Sequence, residues 1–246
     1  MNSKNFYNEV SGIYEKMIDF EKNLKLRIDA YKNIIPGKLH VADIGCGVGL
    51  DSIALALNGH EVSSFDISPN MIDEAKANAE KYGVKINAAV GSFGSIQNKY
   101  NGKFDAVVSV GNTIAHINLK DLKAALKRMN KLLTTGGKIF LHILNYDLII
   151  RESNRINNIA NRDGKIIIRL YDFGRNDIDF NIISFDVENP KAYKIVTTKH
   201  YPHNKSEINS CLKSAGFSKI KFSKNFAGDK FDLKNSKDIF IEAVKK

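Results

Sequence analysis

The chain has 246 residues, 43% of them apolar and 26% charged, with a formal net charge of +10. This suits one large α/β domain carrying an insertion and excludes a disordered or low-complexity chain. No apolar run approaches the ~18 residues of a membrane span, residues 1–5 lead into no apolar leader, and Cys46 and Cys211 are too few for a disulfide framework or a zinc site, so a cytoplasmic protein with no membrane partner and no metal is expected.

Residues 4–35 read as helix in two pieces. Phe6, Val10, Ile13, Tyr14 and Met17 recur at roughly helical spacing, Leu24, Ile28, Tyr31 and Ile35 continue it, and Pro36-Gly37 ends it. Such an aromatic stripe either packs on a core or caps a bound molecule. Residues 39–44 are an apolar run, read as a first and buried strand. Gly45, Gly47 and Gly49 follow, and residues 50–57 read as a helix. Glycines there allow a tight turn and the close approach of a ligand, and the free N–H groups at the helix start face the same space. The pattern predicts a nucleotide-type cofactor site. A dinucleotide fingerprint needs Gly-x-Gly-x-x-Gly, but Leu50 stands where the third glycine belongs. Asp43, two residues before the first glycine, would repel a pyrophosphate and can hold an ammonium. S-adenosylmethionine (SAM), with an amino group, a sulfonium and no phosphate, fits that charge better than NAD.

Residues 61–65 form the second expected strand, ending at Asp66, about 20 residues beyond the glycines, where an acid can accept both ribose hydroxyls. A capping role ahead of Ser68-Pro69 fits Asp66 as well. A helix follows from Pro69 to about residue 82. The third strand, residues 86–90, ends at Gly91-Ser92-Phe93-Gly94. The fourth, residues 103–110, is almost unbroken apolar sequence, as a strand buried on both faces should be. Gly111-Asn112-Thr113 lies at its carboxyl end, where ligands collect in doubly wound sheets. A helix over 119–133, Gly136-Gly137 and a fifth strand over 138–144 complete five alternations of strand and helix. From 151 to 201 the rhythm changes to polar turns such as Asn161-Arg162-Asp163-Gly164 and extended runs at 165–171, 177–185 and 193–198, read as an antiparallel lid. A helix at 206–215 and strands at 217–222 and 238–244 would close the core sheet. The expected division is a helical cap and cofactor core over 1–150, a lid over 151–205 and completion of the core over 206–246. Residues 190–246 hold 13 lysines against five acids, scattered singly. That end is either a solvated surface or a face for RNA or an anionic substrate.

Asp43-Ile44-Gly45-Cys46-Gly47-Val48-Gly49, then Phe65-Asp66-Ile67-Ser68 and Met71, resemble the class I SAM-dependent methyltransferases. Within them, Val110-Gly111-Asn112-Thr113-Ile114-Ala115-His116, Asn145-Tyr146-Asp147 and Tyr201-Pro202-His203 are most similar to glycine N-methyltransferase and its glycine/sarcosine relatives. The likeness covers residues 5–150 well and the rest thinly. It implies a Rossmann-like, mostly parallel seven-stranded sheet with SAM as cofactor. It also implies Arg27 on the SAM carboxylate, Tyr7 as a capping tyrosine, and Gly45, Cys46 and Gly47 beneath the cofactor. Asp66 and Ile67 would follow it, with Met71, Ser92 and Phe93 around the adenine, and Val110 and Gly111 at the fourth strand. Phe20 replaces a family tyrosine.

Methyl transfer from a sulfonium is an in-line displacement with a neutral leaving group, so alignment and water exclusion matter more than a triad or a metal. Asn112, His116 and Tyr201, with His203 nearby, are the candidates at the acceptor. Asn112 can orient an amine, and His116 can bind the cofactor or take a proton. The glycine enzymes carry an arginine directly before Asn-Tyr-Asp to clamp the substrate carboxylate, and Leu144 occupies that position here. That points to a small-molecule acceptor without a carboxylate at that place, unless Arg151, Arg155 or Arg169 reaches in. The readings set against a small-molecule, amine-directed enzyme are a tRNA or rRNA methyltransferase using the basic end, a SAM-binding module without turnover, and an NAD-dependent oxidoreductase. Oligomeric state is not encoded in these patterns.

Overall fold

Strand β1 (His40–Ile44) is buried along four of its five residues, and both its neighbours are parallel to it. The computed structural model describes residues 1–246. In it β1 lies between β2 (Glu61–Asp66) and β4 (Phe104–Ser109), while β3 (Asn87–Val90) and β5 (Leu133–Leu144) extend the sheet on either side. The order is β3-β2-β1-β4-β5-β11-β10, with β11 (Asp238–Lys245) antiparallel between β5 and β10 (Phe217–Ser223). The predicted mostly parallel, seven-stranded sheet is therefore present. The chain runs outward from β1 to β3 and then crosses back to β4, so a crevice opens between the carboxyl ends of β1 and β4.

Both faces of the sheet are covered. Val107, Ile139 and Leu141 pack with Leu122, Leu126 and Met129 of α5 (Leu119–Leu132) and Ile208 and Leu212 of α7 (Lys205–Ser214). Val41, Val62 and Val108 belong to the opposite cluster, with Ile53 and Leu55 of α3 (Leu50–Leu57), Met71 of α4 (Pro69–Lys81), and residues of α1 (Ser3–Ile18) and α2 (Phe20–Ile34). Adjacent residues on one strand thus enter different clusters, as the two-residue period of a strand requires. Asp19, in the left-handed region at φ 52°, separates α1 from α2.

After β5 comes α6 (Tyr146–Glu152), a short helix not predicted from the sequence. A four-stranded antiparallel sheet follows in the order β6-β7-β8-β9: β6 (Ile156–Arg162), β7 (Lys165–Phe173), β8 (Ile178–Asp186) and β9 (Asn189–His200). The expected lid exists with one more strand than predicted. Strand β6 is polar, mostly exposed and an edge, so it lacks an apolar alternation to reveal it. Asp163 and Gly164 join β6 to β7 with φ values of 49° and 76°, the conformation of a tight hairpin turn. Ile167, Ile182 and Val196 of the lid share a cluster with Phe6 and Val10, so α1 and the lid form one cap.

Two further boundaries differ. Gly136-Gly137 does not separate the helix from the fifth strand. It lies inside β5, where a Cβ on Gly137 would stand 3.1 Å from the Asp105 carbonyl oxygen of β4. The last helix starts one residue earlier than read, with Asn204 and Glu207 forming a reciprocal capping box.

The loops after β1 and β4 meet at Gly45. Its φ is 79°, and a Cβ there would lie 2.2 Å from Thr113 Cγ2 and 2.8 Å from Thr113 Oγ1. Gly45→Ala therefore combines backbone strain of about 1–3 kcal/mol with a steric clash. Thermal unfolding should show a fall of several degrees for Gly45→Ala, and Thr113→Ala in the same chain should restore only part of it.

Candidate functional site

The crevice deepens into a cavity of about 800 Å³, roofed by α1, α2 and the lid. The strand ends of the core supply its floor. Gly45, Cys46 and Gly47 line it after β1, Asp66 and Ile67 after β2, Ser92 and Phe93 after β3, and Val110, Gly111 and Thr113 after β4. Nothing lies within 4 Å of a Cβ built on Gly111, and one built on Gly47 meets only Tyr14 Cε1 at 3.6 Å, so both glycines leave open space for a ligand. Asp66 is buried, and each of its oxygens accepts one backbone N–H: Oδ2 from Gly47 and Oδ1 from Ser68, both at 2.9 Å. Those bonds orient the carboxylate at the wall and leave lone pairs for a diol. Ser68, not Asp66, is the N-cap of α4, accepting from the Met71 N–H. Burial pushes the Asp66 carboxyl above its ordinary value, against the pull of its backbone donors.

The acid beside the glycine loop is not the one expected. Asp43 is buried beneath the loop and off the cavity wall, where its Oδ2 accepts from Ser52 Oγ at 2.6 Å and Ser64 Oγ donates on to Ser52 Oγ. Asp51, in the first turn of α3, is the wall acid. Its Oδ1 accepts from Tyr31 Oη at 2.7 Å and pairs with Arg27 Nε at 2.8 Å. Arg27 also lies with its guanidinium carbon 4.4 Å from the centre of the Phe226 ring. An adjacent guanidinium and carboxylate match an α-amino acid zwitterion, and no phosphate would be favoured against Asp51 and Asp66. These features fit SAM. The sequence signal for Asp51 was its position directly after the loop, where an acid also reads as ordinary helix-terminus chemistry.

The roof carries Tyr7 and Tyr14. Tyr7 Oη lies 2.7 Å from His116 Nε2, and burial raises both phenols, Tyr14 to about 12, so both remain protonated. His116 closes a short 3-10 turn, Thr113–His116, on the cavity wall. Burial lowers its pKa to about 4, and its Nδ1 is buried without a partner. Behind it stands His200, with ring centres 4.6 Å apart and planes at 88°.

Asn112 is held away from the wall. Its Oδ1 accepts from the Leu144 N–H at 3.1 Å, and its Nδ2 donates to Tyr146 Oη at 2.8 Å. Tyr146 Oη, already an acceptor, then donates to His200 Nδ1 at 2.9 Å, so the network assigns the His200 ring proton to Nε2, which has no partner. Asn112 thus positions a buried relay rather than facing the cavity. Tyr201 and Met71 are off the wall too. The Tyr201 N–H donates to Ala115 O, and it is the preceding residue, His200, that turns inward; Met71 is fully buried on the core-facing side of α4. His203 bonds the Ile117 carbonyl at 2.8 Å. Leu144 packs against the core.

Asp66→Ala should weaken SAM binding at least 10-fold by titration calorimetry, because two charge-assisted hydrogen bonds are lost. Asp43→Asn should keep binding within about threefold. Burial, then the charge of Asp51, holds the Asp43 carboxyl above its ordinary range, so the native state keeps a proton that the unfolded chain releases near pH 4. Stability should therefore fall as pH rises from about 4 toward the raised native value, and melting temperatures across that range should show this slope flattened in Asp43→Asn.

Residues 41–137 match the sequence model of the methyltransferase-domain family. Among curated proteins, the chain is 27% identical over 146 residues to the glycine/sarcosine N-methyltransferase of Parasynechococcus marenigrum (strain WH8102), covering 58% of this chain and 52% of that protein. It is 33% identical over 110 residues to the ubiquinone biosynthesis O-methyltransferase of Xanthomonas axonopodis pv. citri (strain 306), covering 45% of each. The chain thus spans about half the length of the curated relatives it matches. The crystal structure of an S-adenosylmethionine-dependent methyltransferase from Clostridium acetobutylicum ATCC 824 shares the fold, with a TM-score of 0.77 at 21% identity over 97% of this chain and 98% of that one. With the glycine loop, Asp66 and the doubly wound sheet already described, these matches support a SAM-dependent methyltransferase domain over residues 41–137, in a chain that has the fold of that solved methyltransferase throughout.

Proposed function

We propose that this protein transfers a methyl group from SAM to the nitrogen of a small amine. The observation that carries this reading is His116: an uncharged ring on the cavity wall, tied through Nε2 to the Tyr7 hydroxyl at 2.7 Å. SAM supplies a methyl on sulfur, and its attack by a lone pair breaks the carbon–sulfur bond and leaves a neutral thioether. The chain's own part is alignment, dryness and the handling of one proton. Glycine loop, Asp66 and Asp51–Arg27 fix the donor; α1 and the lid keep water out. With Tyr7 Oη donating to His116 Nε2, the phenol oxygen on the cavity wall accepts an N–H of the amine and aims its lone pair. Because burial keeps the ring neutral down to about pH 4, His116 adds no positive charge beside the sulfonium.

A cavity of about 800 Å³ suits SAM together with a small acceptor. Among the relatives, one is named for N-methylation of glycine and sarcosine and the other for O-methylation in ubiquinone biosynthesis. The choice of nitrogen rests on the neutral imidazole. The basic C-terminal end adds no specific support for RNA: Lys194, Lys199 and Lys224 are paired with Glu9, Asp177 and Asp229, and Lys245 donates to the Leu133 carbonyl.

The test is methyl transfer from labelled SAM to glycine, sarcosine, methylamine, ethanolamine, a catechol and bulk tRNA. Label is expected on one or more amines. Label confined to the catechol would move the acceptor to oxygen, and label confined to tRNA would move it to nucleic acid. His116→Ala should lower kcat/KM about 10²-fold, the scale of a lost proton-handling group, while calorimetry shows SAM affinity within about threefold of wild type.

A further inference from the structure

The cavity wall holds three carboxylates, Asp19, Asp51 and Asp66, and two of them are matched by cations. Arg27 pairs with Asp51 at 2.8 Å, and Arg162 pairs with Asp19 at 2.9 Å. Asp66 is satisfied by backbone donors. Arg169 is different. It lines the same cavity, is half-buried, and its side chain forms no ion pair or hydrogen bond. Burial lowers its pKa, and its charge is felt by the Tyr14 and Tyr171 phenols, which places it among the groups around the roof. A guanidinium removed from water with no anion is costly, and it is retained most cheaply where an anion completes it.

Its place in the fold separates it from the donor site. The groups that fit SAM come from the strand ends of the core and from α2, whereas Arg169 sits in the middle of β7 in the lid. There it is opposite Ile182 of β8 and Asn158 of β6, with Ile167 and Tyr171 two residues to either side on the same face. The other two arginines that could have reached in do not: Arg155 is paired with Asp172, and Arg151 donates to the Lys234 carbonyl on the outside. Leu144 offers no charge. We propose that Arg169 is the receptor for a carboxylate on the methyl acceptor, so that the substrate class is a small amino acid rather than a simple amine. This rests on the small-amine reading above and narrows it; the guanidinium fork suits a carboxylate bidentately.

The probe is acetate, titrated into protein saturated with S-adenosylhomocysteine, which brings the donor's own carboxylate with it. Wild type should bind acetate, Arg169→Met should bind it at least 10-fold more weakly, and Arg169→Lys should lie between them. SAM affinity should stay within about threefold in both variants, and neither melting temperature should fall below wild type, because Arg169 gives up no hydrogen bond or ion pair. In turnover, Arg169→Met should raise KM for a carboxylate-bearing amine and leave methylamine unaffected. Acetate binding equally well to Arg169→Met, or not at all to wild type, would overturn the assignment. A 10-fold loss of SAM affinity in Arg169→Met would overturn it in another way, by giving Arg169 to the donor's carboxylate. Failure of every amine as an acceptor would sink the small-amine reading instead, while the acetate titration would still report on Arg169.

Discussion

At Gly45 there is room for a hydrogen and for nothing larger. The loop leaving β1 must pass within van der Waals reach of Thr113, which belongs to the loop leaving β4. These two loops come from strands that are neighbours in the sheet but far apart in the chain. Their contact sets the depth of the crevice and brings the glycine loop, Asp66 and the His116 turn to one floor. Gly45 and Cys46 further donate their N–H groups to the Phe65 carbonyl, at 2.7 and 3.1 Å, which ties the loop to β2. A ligand laid on this floor meets a surface already fixed by backbone, so little ordering remains to be paid for on binding.

Above the floor, the chain buries many groups that could ionise and keeps most of them neutral. Tyr7, Tyr14, His116 and His200 are all shifted toward their uncharged forms, and desolvation is the largest cause in each case. A cavity prepared for a cation gains from the neutral histidines, which add no positive charge beside it while their dipoles remain. Arg169 breaks the pattern, and the argument for its role comes from that contrast.

The fold was largely legible from residues 39–144, where apolar strands, glycine turns and amphipathic helices agree with one another. The site was legible to the extent that backbone placed it: glycines, Asp66, Ser92, Phe93 and His116 sit at strand ends, which period and punctuation locate. Which of the candidate side chains face the cavity depended on side-chain direction. Asp43 and Asp51 are eight residues apart and chemically equal, and only the pleat of β1 and the first turn of α3 decide which one faces the cavity. Asn112 looked like a substrate contact because it follows β4, yet its left-handed backbone, φ 69°, turns the amide toward Leu144 and Tyr146. His200 was hidden one residue before a conspicuous Tyr-Pro-His. Strand β6 and helix α6 were missed because a polar edge strand and a seven-residue helix carry almost no periodicity.

Three ion pairs clasp α1 and its hinge to the lid: Lys16 with Asp163, Asp19 with Arg162, and Glu9 with Lys194. Every partner is well exposed, so each pair contributes about 0–1 kcal/mol and less in salt. Phe6 and Val10 against Ile167, Ile182 and Val196 are buried, and their burial is worth roughly 1.5–3 kcal/mol for each large side chain. The latch over the cavity is therefore oily rather than ionic. Salt leaves it shut, and cold, which weakens apolar contacts, loosens it.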